Sequence, residues 1–156
     1  MWSSADFTQM GWHDSQLHGM AFVATDDLEP EHSLLLDLDY IVRWVDGPKP
    51  DSHYTFWVAP VTLAFDNAWD VRLSGVIDQL DMAEVLDLHL VRSFENAAGV
   101  HFDEWHLEGD GFDLRVLSSD FKQYVRRPPI HTNAQSLGTS ERGGPSFDRV
   151  GFDGCA

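Results

Sequence analysis

The sequence predicts an all-β fold: an antiparallel meander of seven or eight strands forming a bent sheet, a sandwich or a partly closed barrel, with at most one or two short helical turns. Three observations carry this. Between Leu34 and Trp44 every second residue is apolar, with Leu34, Leu36, Leu38, Tyr40, Val42 and Trp44 on one face and Asp37, Asp39 and Arg43 on the other. That is the period of a pleated strand with one face on a core. Turn-forming clusters cut the chain at residues 26–31, 46–53, 66–68, 96–99 and 109–111, and short links favour antiparallel neighbours. The runs between them hold most of the six Trp, ten Phe and three Tyr, rings that pack well on a half-buried sheet.

In chain order, strands are expected at residues 17–25, 33–45, 54–65, 69–77, 86–94, 100–108 and 112–118. The third is apolar on both faces, Phe56 and Val58 on one and Trp57, Val61, Leu63 and Phe65 on the other, which predicts a central strand covered on both sides. Pro60 cannot donate to a ladder and calls for a bulge, bend or local edge. At Asp81-Met82-Ala83-Glu84 a helix-cap pattern meets the strand alternation of Leu86, Leu88 and Leu90, giving one helical turn entering a strand. Asp110-Gly111 closes the clearest hairpin, since Asp-Gly supplies the positive φ of a tight turn. Phe121, Tyr124 and Val125 fit both periods, and Pro128-Pro129 ends their element. Residues 1–130 thus read as one β-rich domain. Residues 131–156, rich in Gly, Ser and Thr and broken by Gly143-Gly144-Pro145, read as a flexible or loosely docked tail that Phe147, Val150 and Phe152 are available to pin.

Composition narrows the partners. A length of 156 residues with 43% hydrophobic content suits one globular domain. Against 26 Asp plus Glu stand 10 Lys plus Arg, a net charge of −16, and such a surface repels nucleic acids and anionic membranes. Nine acidic residues and a single basic one, Arg92, fall between Asp81 and Asp113, a stretch suited to steering a basic protein partner. The lone Cys155 rules out an internal disulfide, and no basic-plus-apolar leader or spanning run is present. A cytoplasmic location is the expectation.

Three groupings of side chains are candidates for chemistry. His13, Asp14 and His18 supply imidazole and carboxylate for a metal or an acid/base pair, although the two histidines are five apart rather than four. Asp37, Asp39 and Arg43, with Arg72 and Arg115 from other strands, would line a polar ligand pocket if the sheet enclosed that face, and would be a solvated face otherwise. His101 and Asp103 share a strand face with His106 opposite. No nucleophile elbow or phosphate-cradling loop is present, and no cofactor is called for.

The segments Gly11-Trp12-His13-Asp14-Ser15-Gln16-Leu17-His18, Leu36-Asp37-Leu38-Asp39-Tyr40 and Tyr54-Thr55-Phe56-Trp57-Val58-Ala59-Pro60 resemble an uncharacterised family of small bacterial β-rich proteins. The likeness spans roughly residues 7–125 and implies an intact domain without assigning an activity. An N-terminal His-Asp followed by meander strands is also similar to immunity proteins of bacterial polymorphic toxin systems, which bind and block a toxin. These readings lead to one expectation, a non-catalytic protein that recognises a partner through an acidic surface. The alternative is a small ligand-binding barrel or enzyme built on the Asp/Arg pocket.

Overall fold

The computed structural model describes residues 1–24, 32–47, 53–79 and 83–152. All seven expected runs form strands, and the described residues contain three further ones. In chain order they are β1 (Trp2–Ser3), β2 (Ser15–Ala24), β3 (His32–Val45), β4 (Thr55–Asp66), β5 (Trp69–Gly75), β6 (Glu84–Glu95), β7 (His101–Gly109), β8 (Phe112–Ser118), β9 (Asp120–Val125) and β10 (Ile130–Thr132). A 3₁₀ segment follows β1 at Ser4–Gln9, and a one-turn helix, α1, spans Thr139–Arg142. The loops expected at 26–31 and most of 46–53, and the start of the turn at 81–84, lie outside the described residues.

The strands form one antiparallel sheet that does not close into a barrel, ordered β1-β9-β4-β3-β2-β6-β7-β8-β5 with β10 beside β4. Two meanders, β2-β3-β4 and β6-β7-β8, make its halves. They meet directly over only two residue pairs, Ser15↔Val85 and Gln16↔Glu84. A bent ribbon joins them again, because β4 runs into β5 through Asn67-Ala68 and β8 into β9 through Ser119. Asn67, at φ 50°, donates from Nδ2 to Ser119 Oγ at 2.8 Å, and the Ser119 N–H donates to the Asp66 carbonyl at 3.0 Å. The corner therefore keeps its backbone and side chains paired.

This bend lets the two halves bury their apolar faces against each other. Leu34, Leu36 and Leu38 of β3 and Val61, Leu63 and Phe65 of β4 share a core with Leu88, Trp105, Leu107, Leu114 and Val116. Rings tie the halves together: Trp105 of β7 lies 5.0 Å from Phe121 of β9 and 5.1 Å from Phe7, all edge to face. Trp12 stacks on Phe7 and donates from Nε1 to Gln123 Oε1 at 3.0 Å. Phe121 and Val125, whose spacing fitted a helix as well as a strand, are inward residues of β9 because β4 supplies a ladder for them.

Local expectations resolve in physical terms. Pro60 sits where β4 changes neighbour, from β10 at residues 56–58 to β9 at residues 61–66. Its carbonyl accepts from the Arg126 N–H at 3.0 Å, so its missing donor faces a gap in the ladder. The β7–β8 hairpin forms, but only Gly111 takes positive φ (80°). Its loop is wider than a two-residue turn, with Glu108↔Asp113 as the last pair. A side chain at Gly109 would stand 2.1 Å from the Phe112 ring.

The outer face of β4 and β3 is covered too, by the C-terminal segment. Leu137 packs on Ile41, Phe56 and Val58, the Phe147 ring lies over Gly19, and the Phe152 N–H donates to the Val125 carbonyl at 2.9 Å. Val150 remains exposed.

Candidate functional site

Asp37 and Asp39 point from β3 to the outer face and are fully buried. They face a guanidinium, not a pocket. Arg142 of α1 donates from Nη2 to Asp37 Oδ1 at 2.6 Å, from Nη1 to Asp37 Oδ2 at 3.1 Å and from Nε to Asp39 Oδ1 at 3.2 Å. Its side chain is only 3% exposed. Arg126 also pairs with Asp37 and donates to the Ser146 carbonyl. The Ser146 and Leu137 N–H groups donate to Asp37 Oδ2 (3.2 Å) and Asp39 Oδ2 (2.8 Å), and His18 Nε2 reaches Asp39 Oδ2 at 2.9 Å.

Electrostatics explains why this arrangement holds. Burial alone would raise the Asp39 carboxyl, but the hydrogen bonds from His18 and Leu137 and the charges of His18 and Arg142 outweigh it and hold the group below its ordinary value. Burial would likewise lower the Arg142 guanidinium, and Asp37 and Asp39 hold it above its ordinary value. Buried ions need this completeness of pairing. Every oxygen of the two carboxylates has at least one partner within the protein, so the pair is spent on the fold and not presented to a ligand. The network acts as a clamp that fastens α1 and the segment around it to β3.

The remaining residues of the polar-pocket reading lie elsewhere. A bulge between Ile41 and Arg43 pairs Arg43 with Trp57 and turns it to the face opposite Asp37 and Asp39. Arg72 and Arg115 do meet, as cross-strand partners on β5 and β8. There Arg72 pairs with Asp70 at 2.6 Å and Arg115 with Glu104 at 3.6 Å, both near solvent. The candidate metal set is also divided: His13 pairs with Asp14 at 3.3 Å, while His18 is turned to Asp39. No group of three or more such ligands gathers among the described residues. Asp14, at φ 61°, instead approaches Glu84. A hydrogen bond with Asp14, burial and the Asp14 charge hold the Glu84 carboxyl above its ordinary value. His101 pairs with Asp103 at 3.1 Å and His106 with Asp113 at 2.6 Å, on opposite faces of β7.

The solvent face of β6, β7 and β8 carries the densest ordered charge. Asp87, Glu108 and Asp113 are direct cross-strand partners, as are His89, His106 and Arg115 in the neighbouring row. Rungs alternate because the inward set, Leu88, Leu107 and Leu114, belongs to the core. His89 bonds Glu108 at 3.0 Å, and Arg92 donates to Glu104 at 2.6 Å. Three carboxylates side by side across adjacent strands repel one another, and the His89–Glu108 and His106–Asp113 hydrogen bonds offset part of it.

Sequence reasoning missed Arg126 and Arg142, although a signal for them exists. Asp37 and Asp39 stand opposite Thr62 and Pro60 of a strand read as covered on both sides, so whatever covers β4 also covers them and must bring cations. The described residues contain no helix long and apolar enough to cross a membrane. No family model and no curated protein matches the chain.

Proposed function

We propose that this chain is a non-catalytic binding protein that recognises a basic protein partner through the exposed face of β6, β7 and β8, in the manner of an immunity protein and in the reducing cytoplasm that a lone cysteine suits. The observation that carries the reading is the row Asp87, Glu108 and Asp113, three carboxylates held in register where folding alone favours alternating charge. A basic surface laid across them would relieve that repulsion, and the net charge of −16 would steer it in. The carboxylate row beside the row of His89, His106 and Arg115 gives the face a pattern that a partner can match in register.

The test removes the row. The variant D87N/E108Q/D113N is expected to be about as stable as wild type in urea, because the loss of like-charge repulsion is set against weaker hydrogen bonds of His89 to residue 108 and of His106 to residue 113. Both proteins, immobilised, are then offered native lysate at about 50 mM and about 500 mM salt. Wild type is expected to retain a basic protein at low salt and release it at high salt, and the variant to retain none of it. No retained protein, or one held equally by the variant or regardless of salt, would contradict the reading.

A further inference from the structure

At the corner where β4 becomes β5, a cleft of about 550 Å³ opens between Trp69, Phe102 and Val100, with His32, Asn67 and Asn96 on its rim. This lies inside the range of roughly 300–1,000 Å³ typical of small-molecule sites. We propose that it binds a neutral saccharide, one pyranose ring stacked on the Trp69 indole. The reading does not rest on the protein-docking proposal, although Phe102 lies on the same face of β7 as Glu104, His106 and Glu108.

Three features of the cleft point to this ligand class. First, Trp69 is held outward by design of the backbone. Asn67 and Asp70, both non-glycine residues, take φ of 50° and 49° on either side of it, and the β5–β8 register slips between Trp69 and Arg72. Bulges re-aim side chains in this way, and left-handed backbone at non-glycine residues costs energy that a surrounding structure must offset. The result is an indole 48% exposed yet braced edge-on by Phe102 at 5.6 Å, which itself stacks on Phe94 at 6.0 Å. A rigid, open π-face attracts the electron-poor C–H bonds on the flat side of a sugar ring.

Second, the two side-chain amides are each anchored by one end. Asn67 donates from Nδ2 to Ser119, which leaves its Oδ1 as the acceptor. Asn96 accepts at Oδ1 from the Ala98 and Val100 N–H groups at 2.9 and 3.0 Å, which leaves its Nδ2 as the donor. A hydroxyl-bearing ligand uses one of each. Third, the lining contains no Asp, Glu, Lys or Arg, in a chain where 23% of residues are charged. Such a lining selects against ionic ligands, whose desolvation it cannot offset.

Saturation-transfer NMR tests this with cellobiose, maltose and chitobiose as probes and, as competitor, adenosine, which offers a flat aromatic base for stacking and a furanose but no pyranose ring. At least one disaccharide is expected to receive saturation on its ring C–H protons from the wild-type protein. Trp69→Ala and Asn96→Asp are each expected to weaken that binding about tenfold or more, the loss of roughly one good contact. Asn96→Asp keeps the acceptor that holds the 96–100 turn and replaces the donor with a charged carboxylate oxygen, which removes the amide hydrogen bond and ends the neutrality of the lining. Trp57→Ala, an exposed Trp outside the cleft, is expected to leave binding unchanged. The proposal is overturned if no disaccharide binds, if adenosine alone binds, if Asn96→Asp binds as tightly as wild type, or if Trp57→Ala loses binding as Trp69→Ala does.

Discussion

Arg142→Met is expected to destabilise the protein by about 3–5 kcal/mol, read as a lower midpoint in urea unfolding, because it leaves buried carboxylates without their shared cation. Asp37 would keep Arg126 and the Ser146 N–H, and Asp39 would keep His18 and the Leu137 N–H. Neither set reproduces the guanidinium that spans both acids. Arg142→Lys is expected to recover part of the loss, since an ammonium carries the charge but not the planar fork that reaches two carboxylates at once. The sign with pH follows from Asp39. Its folded-state value lies below the ordinary 3.8, so its contribution is complete above the unfolded-state value and is lost as pH falls through the lower folded one. Wild type should therefore lose stability as pH drops below about 4, and Asp39→Asn should show a shallower acid slope.

Trp105→Ala should be of similar size, about 3–5 kcal/mol, as for other buried tryptophans cut back to alanine. Trp105 is 1% exposed and touches Phe7 of the 3₁₀ segment and Phe121 of β9, the strand paired with β4 in the other half of the sheet. The meanders β2-β3-β4 and β6-β7-β8 share little ladder, so their union depends on this packing. Thermal unfolding followed by far-ultraviolet and near-ultraviolet circular dichroism should still give coincident transitions, both shifted down. Separate transitions for the two halves would show that the core is not shared.

The strands were legible because their signals are local. Alternation in residues 33–45 and the turn at Gly109-Asp110-Gly111 do not depend on what lies elsewhere in the chain. What covers each face is a question about distant residues, and there the sequence speaks less directly. Arg142 lies 103 positions from Asp39 and 105 from Asp37, in a Gly- and Ser-rich stretch whose composition resembles that of a loose tail. It docks because two buried carboxylates, the apolar patch of Ile41, Phe56 and Val58, and the bare backbone at Gly19 offer it ionic, hydrophobic and steric complements. The face of Arg43 was misjudged for a different reason: a bulge reverses the alternation after Ile41, and one extra residue leaves no compositional trace.

The docking of residues 137–146 on β3 is the claim on which the rest depends, and amide hydrogen exchange at Leu137 and Ser146 measures it directly. Both N–H groups donate to buried aspartates, at 2.8 and 3.2 Å, so both should exchange far more slowly than a free peptide in wild type and lose that protection in Arg142→Met. Exchange at free-peptide rates in the wild-type protein would contradict the clamp and return Asp37 and Asp39 to an open, ligand-accessible face.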